Sequence, residues 1–218
     1  MNMYQSIRKG VVRICWVKAV VCFCLLFAGT VDMRAQDGFS MGANVATGFQ
    51  LNSHRQKQTG IWSSESGYGF ALGVPLRFGY ADERAFVTGL DYEYFSFDNW
   101  VNGNLINSTR FHAFHVPATF QFNLISSLYA TAGAGVNYLF RSRYFAPGSN
   151  ISIGSTVQPF QPYISLGVAS IAERGNGIFE LSVATRFHFL DLRNKNYINF
   201  DAVSSRLISF DLGMKFYF

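Results

Sequence analysis

From Ile208 to the last residue the chain alternates without a fault. Ile208, Phe210, Leu212, Met214, Phe216 and Phe218 fall on one side of an extended backbone, and Ser209, Asp211, Gly213, Lys215 and Tyr217 on the other. Successive side chains on a strand point to opposite faces, so this segment has one wholly apolar face and one polar face. Seven earlier segments repeat the pattern: 39–51, 67–80, 85–97, 110–124, 128–144, 160–171 and 177–190. In the second, Tyr68, Phe70, Leu72, Val74, Leu76 and Phe78 oppose Gly69, Ala71, Gly73 and Arg77. In the fifth, Ala130, Ala132, Ala134, Val136, Tyr138 and Phe140 oppose Thr131, Gly133, Gly135, Asn137 and Arg141.

The polar faces include Asp91, Glu93, His115, Glu180, Arg186, Asp211 and Lys215, too many charges for a dry core. A soluble barrel would turn its large apolar residues inward and its charges outward. Here the aromatic-rich face suits lipid and the charged face suits a lumen. Long connections (52–66, 98–109, 145–158 and 191–204) alternate with short ones (81–84, 125–127 and 172–176), the arrangement of barrels with outer loops and periplasmic turns. The expectation is an all-β fold: an eight-stranded antiparallel up-and-down transmembrane β-barrel in the cell outer membrane, with both termini in the periplasm. A chain that closes its own ring is expected to be a monomer. Pro75, Pro117 and Pro162 lie inside segments, and each demands a bulge or an unpaired position because proline donates no ladder hydrogen bond.

Residues 1–35 read as a cleaved export signal, leaving 36–218 as the barrel domain. Arg8, Lys9, Arg13 and Lys18 precede the apolar run Ala19 to Ala28, and Ala35 precedes Gln36. Ten apolar residues are about half of the ~20 that a spanning helix needs. Of 18 Lys and Arg and 13 Asp and Glu in the whole chain, the signal takes five and one. The remainder carries 13 against 12, so the high pI offers no nucleic-acid surface. All three cysteines, Cys15, Cys22 and Cys24, leave with the signal, which excludes disulfides and thiolate chemistry from the barrel. There is no metal-ligand spacing or phosphate loop, and no metal or cofactor is expected.

The interior of an eight-stranded barrel is just wide enough for side chains to fill. Setting the last hairpin about its midpoint places Glu180 opposite Lys215 and Arg186 diagonal to Asp211. The same arithmetic on the third and fourth segments places Glu93 opposite His115. These six residues are expected to form a charge-compensated structural network in a non-conducting lumen, with a proton or ion relay through the same groups as the alternative. His112 with Ser108 or Thr109 is the nearest local pairing for a rim enzyme acting on lipid A, although serines are common enough here to produce it by chance. Tyr92, Tyr94, Tyr138 and Tyr144 are expected to mark the outer aromatic girdle. Phe78, Tyr80, Phe122, Phe216 and Phe218 mark the inner one, and Trp62 and Trp100 anchor the outer loops.

His115-Val116-Pro117, then Thr119-Phe120-Gln121-Phe122, then Tyr129-Ala130-Thr131-Ala132-Gly133-Ala134-Gly135-Val136, resembles a run found in PorT-like outer-membrane β-barrel proteins. The resemblance extends loosely over residues 38–218. It implies an outer-membrane barrel and, through one member of that family, an accessory role in protein secretion. It supplies no catalytic residue. Likeness to outer-membrane barrels further implies that Phe218 belongs to the assembly signal. The partners expected are outer-membrane lipid and lipopolysaccharide, the barrel-assembly machinery, and a protein bound at the outer surface or on the periplasmic side.

Overall fold

A computed structural model of the protein describes residues 38–56, 62–79, 84–101, 104–174, 177–192 and 202–218. The expected export signal and Tyr80 lie outside them. The alternating segments form strands β1 (Phe39–Gln56), β2 (Trp62–Phe78), β3 (Arg84–Val101), β4 (Asn104–Ile125), β5 (Leu128–Ala146), β7 (Phe160–Arg174), β8 (Gly177–His188) and β9 (Ala202–Tyr217). β6 (Ser149–Ser152) is a short strand folded back on the tip of β5. The other eight are antiparallel to both neighbours, and β1 pairs with β9 to close a ring. Closure pairs the backbone groups that an open sheet leaves bare at its edges.

The apolar faces point outward on every strand of the ring. Leu166 is 58% exposed, Phe120 54% and Leu90 53%, whereas inward-facing Arg77 and Glu180 are fully buried. Aromatic rings chain around the end that carries the short turns: Phe39 to Phe78, Phe78 to Phe86, and Phe86 to Phe120, with centroids 5.1, 6.3 and 5.1 Å apart. A second outward cluster, toward the other end, joins Phe70, Tyr92, Tyr94, His112, Phe140 and Phe114.

Three expectations need correction. Residues 98–109 are not a loop: β3 and β4 stay paired through Asp98↔Ser108 and Val101↔Asn104. Asn102-Gly103 between them is the dipeptide most favoured in two-residue hairpins. Trp62 and Trp100 likewise lie on strand backbone, not in loops. A bulge in the β4–β5 ladder, between His112 and Ala113, puts Arg141 opposite His112, while Ala113 faces Leu139. Arg141 is therefore exposed on the outside, Ser142 turns inward, and Tyr144 shares the Ser142 side instead of joining the outer girdle.

The prolines are accommodated without bulges. At Pro75 the β1–β2 ladder passes from Met41↔Leu76 to Asn44↔Gly73, and at Pro117 the β3–β4 ladder passes from Thr88↔Ala118 to Asp91↔His115, both without a change of register. Pro162 falls at the end of the β7–β8 ladder, where its carbonyl accepts the Phe189 N–H at 3.0 Å. Gly89 pairs with Pro75 and faces the gap at Pro117, with φ +151°. An added Cβ there would collide with the Val74 carbonyl. Gly89→Ala is expected to cost about 1–3 kcal/mol for the strained backbone, read as a lower unfolding midpoint in detergent micelles. An unchanged midpoint would contradict the close approach of β2 and β3.

Candidate functional site

The lumen is where the polar faces converge. β3 and β8 stand four strands apart in a ring of eight, so inward residues on them face each other across the barrel. Arg186 on β8 spans that gap. Its Nη1 and Nη2 donate to the two carboxylate oxygens of Glu93 at 3.0 and 2.6 Å. Its Nε and Nη2 donate to Asp211 on the neighbouring strand at 2.6 and 2.9 Å. A guanidinium suits this role because its planar fork can meet two carboxylates bidentately. Glu93 also accepts from Asn137 Nδ2 at 2.7 Å and Gln50 Nε2 at 3.3 Å, so β1, β3, β5, β8 and β9 meet at one point.

Beside this clamp, Asp91 accepts from Asn44 Nδ2 at 3.0 Å and lies 3.0 Å from His115 Nδ1. The other nitrogen of His115 meets the Tyr163 hydroxyl. The Tyr163 ring lies 5.5 Å from the Arg186 guanidinium, within cation–π range. Toward the short turns, Lys215 Nζ donates to Glu180 Oε1 at 2.5 Å, while Gln121 and Tyr217 donate to Oε2 at 2.9 and 3.2 Å. Arg77, fully buried nearby, donates one N–H to the Gly79 carbonyl at 3.3 Å. A cavity of about 110 Å³ lies between these groups, enough for several waters.

The opposite end of the lumen is apolar. Phe95, Phe97, Phe111, Ala113, Leu139 and Leu207 point in from the strands, and Val157 and Leu192 come down from the connections above. Phe95 stacks on Phe111 at 4.8 Å with Phe97 edge-on to both. Backbone bonds from Gln158 N to Leu192 O (3.0 Å) and from Leu139 N to Pro159 O (2.7 Å) tie the connections over this cluster.

All six residues expected in the lumen face it. Two expected pairings, Glu180 with Lys215 and Arg186 with Asp211, are in contact. The third is different: His115 stands opposite Asp91, and Glu93 stands opposite Ala113 and pairs with Arg186. Sequence reasoning missed Asp91 as a partner, the amide donors Asn44, Gln50, Gln121 and Asn137, and Tyr163. It also missed the apolar cluster, although Phe95 and Phe97 continue the Asp91, Glu93 phase. At the rim, His112 Nδ1 lies 2.6 Å from the Tyr92 hydroxyl, and Ser108 Oγ donates to Asp98 at 2.6 Å, so His112 is engaged by Tyr92 and Ser108 by an acid. Phe218 donates its N–H to the Met41 carbonyl at 2.9 Å, at the β1–β9 seam.

No family model and no curated protein matches the chain. Several solved structures resemble it. Neisserial surface protein A aligns with TM-score 0.48 and 13% identity, over 79% of this chain and 95% of that one. Ail, the attachment invasion locus protein of Yersinia pestis, aligns with TM-score 0.40 and 14% identity, over 84% and 100%. The outer membrane protein OprG from Pseudomonas aeruginosa aligns with TM-score 0.39 and 11% identity, over 84% and 96%. At these identities the likeness is one of fold alone.

Removing one member of a buried ion pair leaves its partner uncompensated, at a cost of about 3–5 kcal/mol. Glu180→Ala is therefore expected to destabilise the barrel, and adding Lys215→Ala to recover part of the loss. Urea unfolding of the two single variants and the double variant checks this. Simple additivity would show that the pair is not coupled.

Proposed function

We propose that this chain is an integral outer-membrane barrel with a closed lumen, acting as a structural or interaction protein through the surface at the end of its longer connections. One observation carries the reading: every strand of the ring turns large apolar side chains outward, while the interior is crossed by paired charges and capped by an apolar cluster. Among the described residues no helix is long and apolar enough to cross a membrane. The strands, at 12 to 22 residues, exceed the ~9–11 that a tilted transmembrane strand requires. The run around His115-Val116-Pro117 and the glycine-bearing β5 favour a place among PorT-like barrels. With it comes a second reading, a secretion-associated accessory that binds its partner at the periplasmic end.

Arginine at mid-membrane on the lipid face costs about 2–4 kcal/mol. Leu212→Arg should abolish the heat-modifiable folded band. Inward Gly213→Ser should keep it, since Ser182 Oγ, the atom nearest an added Cβ at 3.0 Å, can rotate away. Equal behaviour of the two would overturn the face assignment. Phe218→Ala is expected to reduce assembly in cells through loss of the aromatic side chain at the β1–β9 seam.

Closure of the lumen is tested in planar bilayers. Purified protein should give no stable conductance steps. Steps whose ion selectivity changes in Glu93→Gln would establish a channel instead. Pull-down of the intact barrel with periplasmic and with surface fractions separates the two functional readings by the end at which a partner protects it from proteolysis.

A further inference from the structure

A second polar group stands outside the barrel, where the apolar band of β4 and β5 ends. Arg110 is directly opposite Arg143, and His112 directly opposite Arg141. The bulge at His112 brings Arg141 onto this face, where it is exposed, while the other three are half-buried. Like charges facing each other across a strand pair destabilise it. Yet none of the three arginines makes an ion pair with a described carboxylate. The direct contacts of Arg110 are neutral: its Nε is 3.4 Å from Ser108 Oγ, and its guanidinium lies 4.3 Å over the Phe145 ring. Asp98, on adjacent β3, is occupied by the hydroxyls of Ser96, Ser108 and Tyr68. Among the described residues Asp98 reaches Arg110 only through the Ser108 hydroxyl, and no carboxylate contacts any of the three cations directly.

The height of the cluster says what the anion is. From Phe122 to Arg110 is twelve residues, or about 30 Å along the axis at ~3.3 Å per residue and ~40° tilt, just beyond a hydrocarbon band of ~25 Å. The arginines thus stand at headgroup level. Directly below them is an aromatic floor. His112 is edge-on to Tyr94 at 5.3 Å and 6.2 Å from Phe140, which stacks on Phe114 at 4.7 Å. Cations over an apolar, aromatic floor match an amphiphile with phosphate above and acyl chains beneath.

We propose that Arg110, Arg141 and Arg143 bind the phosphomonoester headgroup of a lipid A-type glycolipid in the outer leaflet. Guanidinium forks bind phosphate oxygens bidentately, and each phosphomonoester carries about −1.5 to −2 charge at neutral pH. The site rests on the outer-membrane reading above, which sets the arginine end in the outer leaflet.

The test measures lipid retained by the purified barrel in nanodiscs, using native mass spectrometry. Bisphosphorylated lipid A and its dephosphorylated form are supplied in competition. The wild type should favour the phosphorylated lipid at least tenfold. The combined variant R110Q/R141Q/R143Q should lose that preference, and R84Q, an exposed arginine at the opposite end, should keep it. Equal retention of the two lipids by the wild type overturns the site even if the combined variant does not fold. An unchanged preference in a folded combined variant overturns it too. So does displacement of the lipid by millimolar inorganic phosphate or sulfate, which would assign the arginines to a soluble anion. A heat-modifiable band and nanodisc incorporation of the wild type are recorded on the same samples. Failure there strikes at the membrane reading, whereas an inserted barrel without phosphate preference strikes at the arginine site alone.

Discussion

Every backbone N–H and C=O that enters hydrocarbon must find its partner within the protein. That requirement accounts for most of what is seen. It closes the sheet through the β1–β9 seam, from Gly42↔Tyr217 to Gln56↔Ala202, and it makes the two faces of each strand answer to different solvents. Where Pro75 and Pro117 withhold a donor, the ladder skips two pairs and resumes in register. Position 89, paired with Pro75 on one side and facing the gap at Pro117 on the other, adopts a backbone conformation suited to glycine.

Closing the ring at eight strands leaves a narrow interior that side chains can largely fill, so polar groups there find most of their partners among themselves. Arg186 does this across the full width of the barrel by holding carboxylates of β3 and β9 on two edges of one guanidinium. Tyr163 extends the network to His115 and Asp91. It has room only because β5 carries Gly135, where an added Cβ would collide with the tyrosine ring and hydroxyl. The glycine-rich stretch of β5 is thus part of the lumen packing. Among the described lumen residues, four carboxylates (Asp91, Glu93, Glu180, Asp211) face Arg77, Arg186, Lys215 and His115, a near-balance that suits buried charges.

Much of this was legible in the sequence, because period two assigns faces residue by residue. The contacts Glu180–Lys215 and Arg186–Asp211 were accessible because β8 and β9 are neighbours, and a hairpin register predicts neighbours. Glu93 was misplaced by two residues: reading 98–109 as a loop sets its midpoint partner at 114, one beyond the true partner Ala113, and the nearest inward residue on that far side is His115. The strands in fact run on to Val101 and Asn104, with a register shift at Asn99. The Asn102-Gly103 dipeptide was the signal that could have corrected it. Arg186–Glu93 was out of reach, since it joins residues 93 apart on opposite walls, and pairwise register says nothing about what meets across a ring. Arg141 escaped because a one-residue bulge reverses every face beyond it.

The account depends most on which face meets lipid. Residues 38–218 contain no cysteine, so single spin labels can be placed along β7 without competing thiols. Labels would replace outward Ile164, Leu166 and Val168 and inward Ser165 and Ala169, with the barrel in lipid bilayers. Collision rates are then measured with lipid-dissolved oxygen and with a water-soluble nickel chelate. The expected result is high oxygen access at 164, 166 and 168 and low access of both reagents at 165 and 169. Oxygen access in the opposite phase, or none that alternates, would mean that the apolar face does not meet lipid.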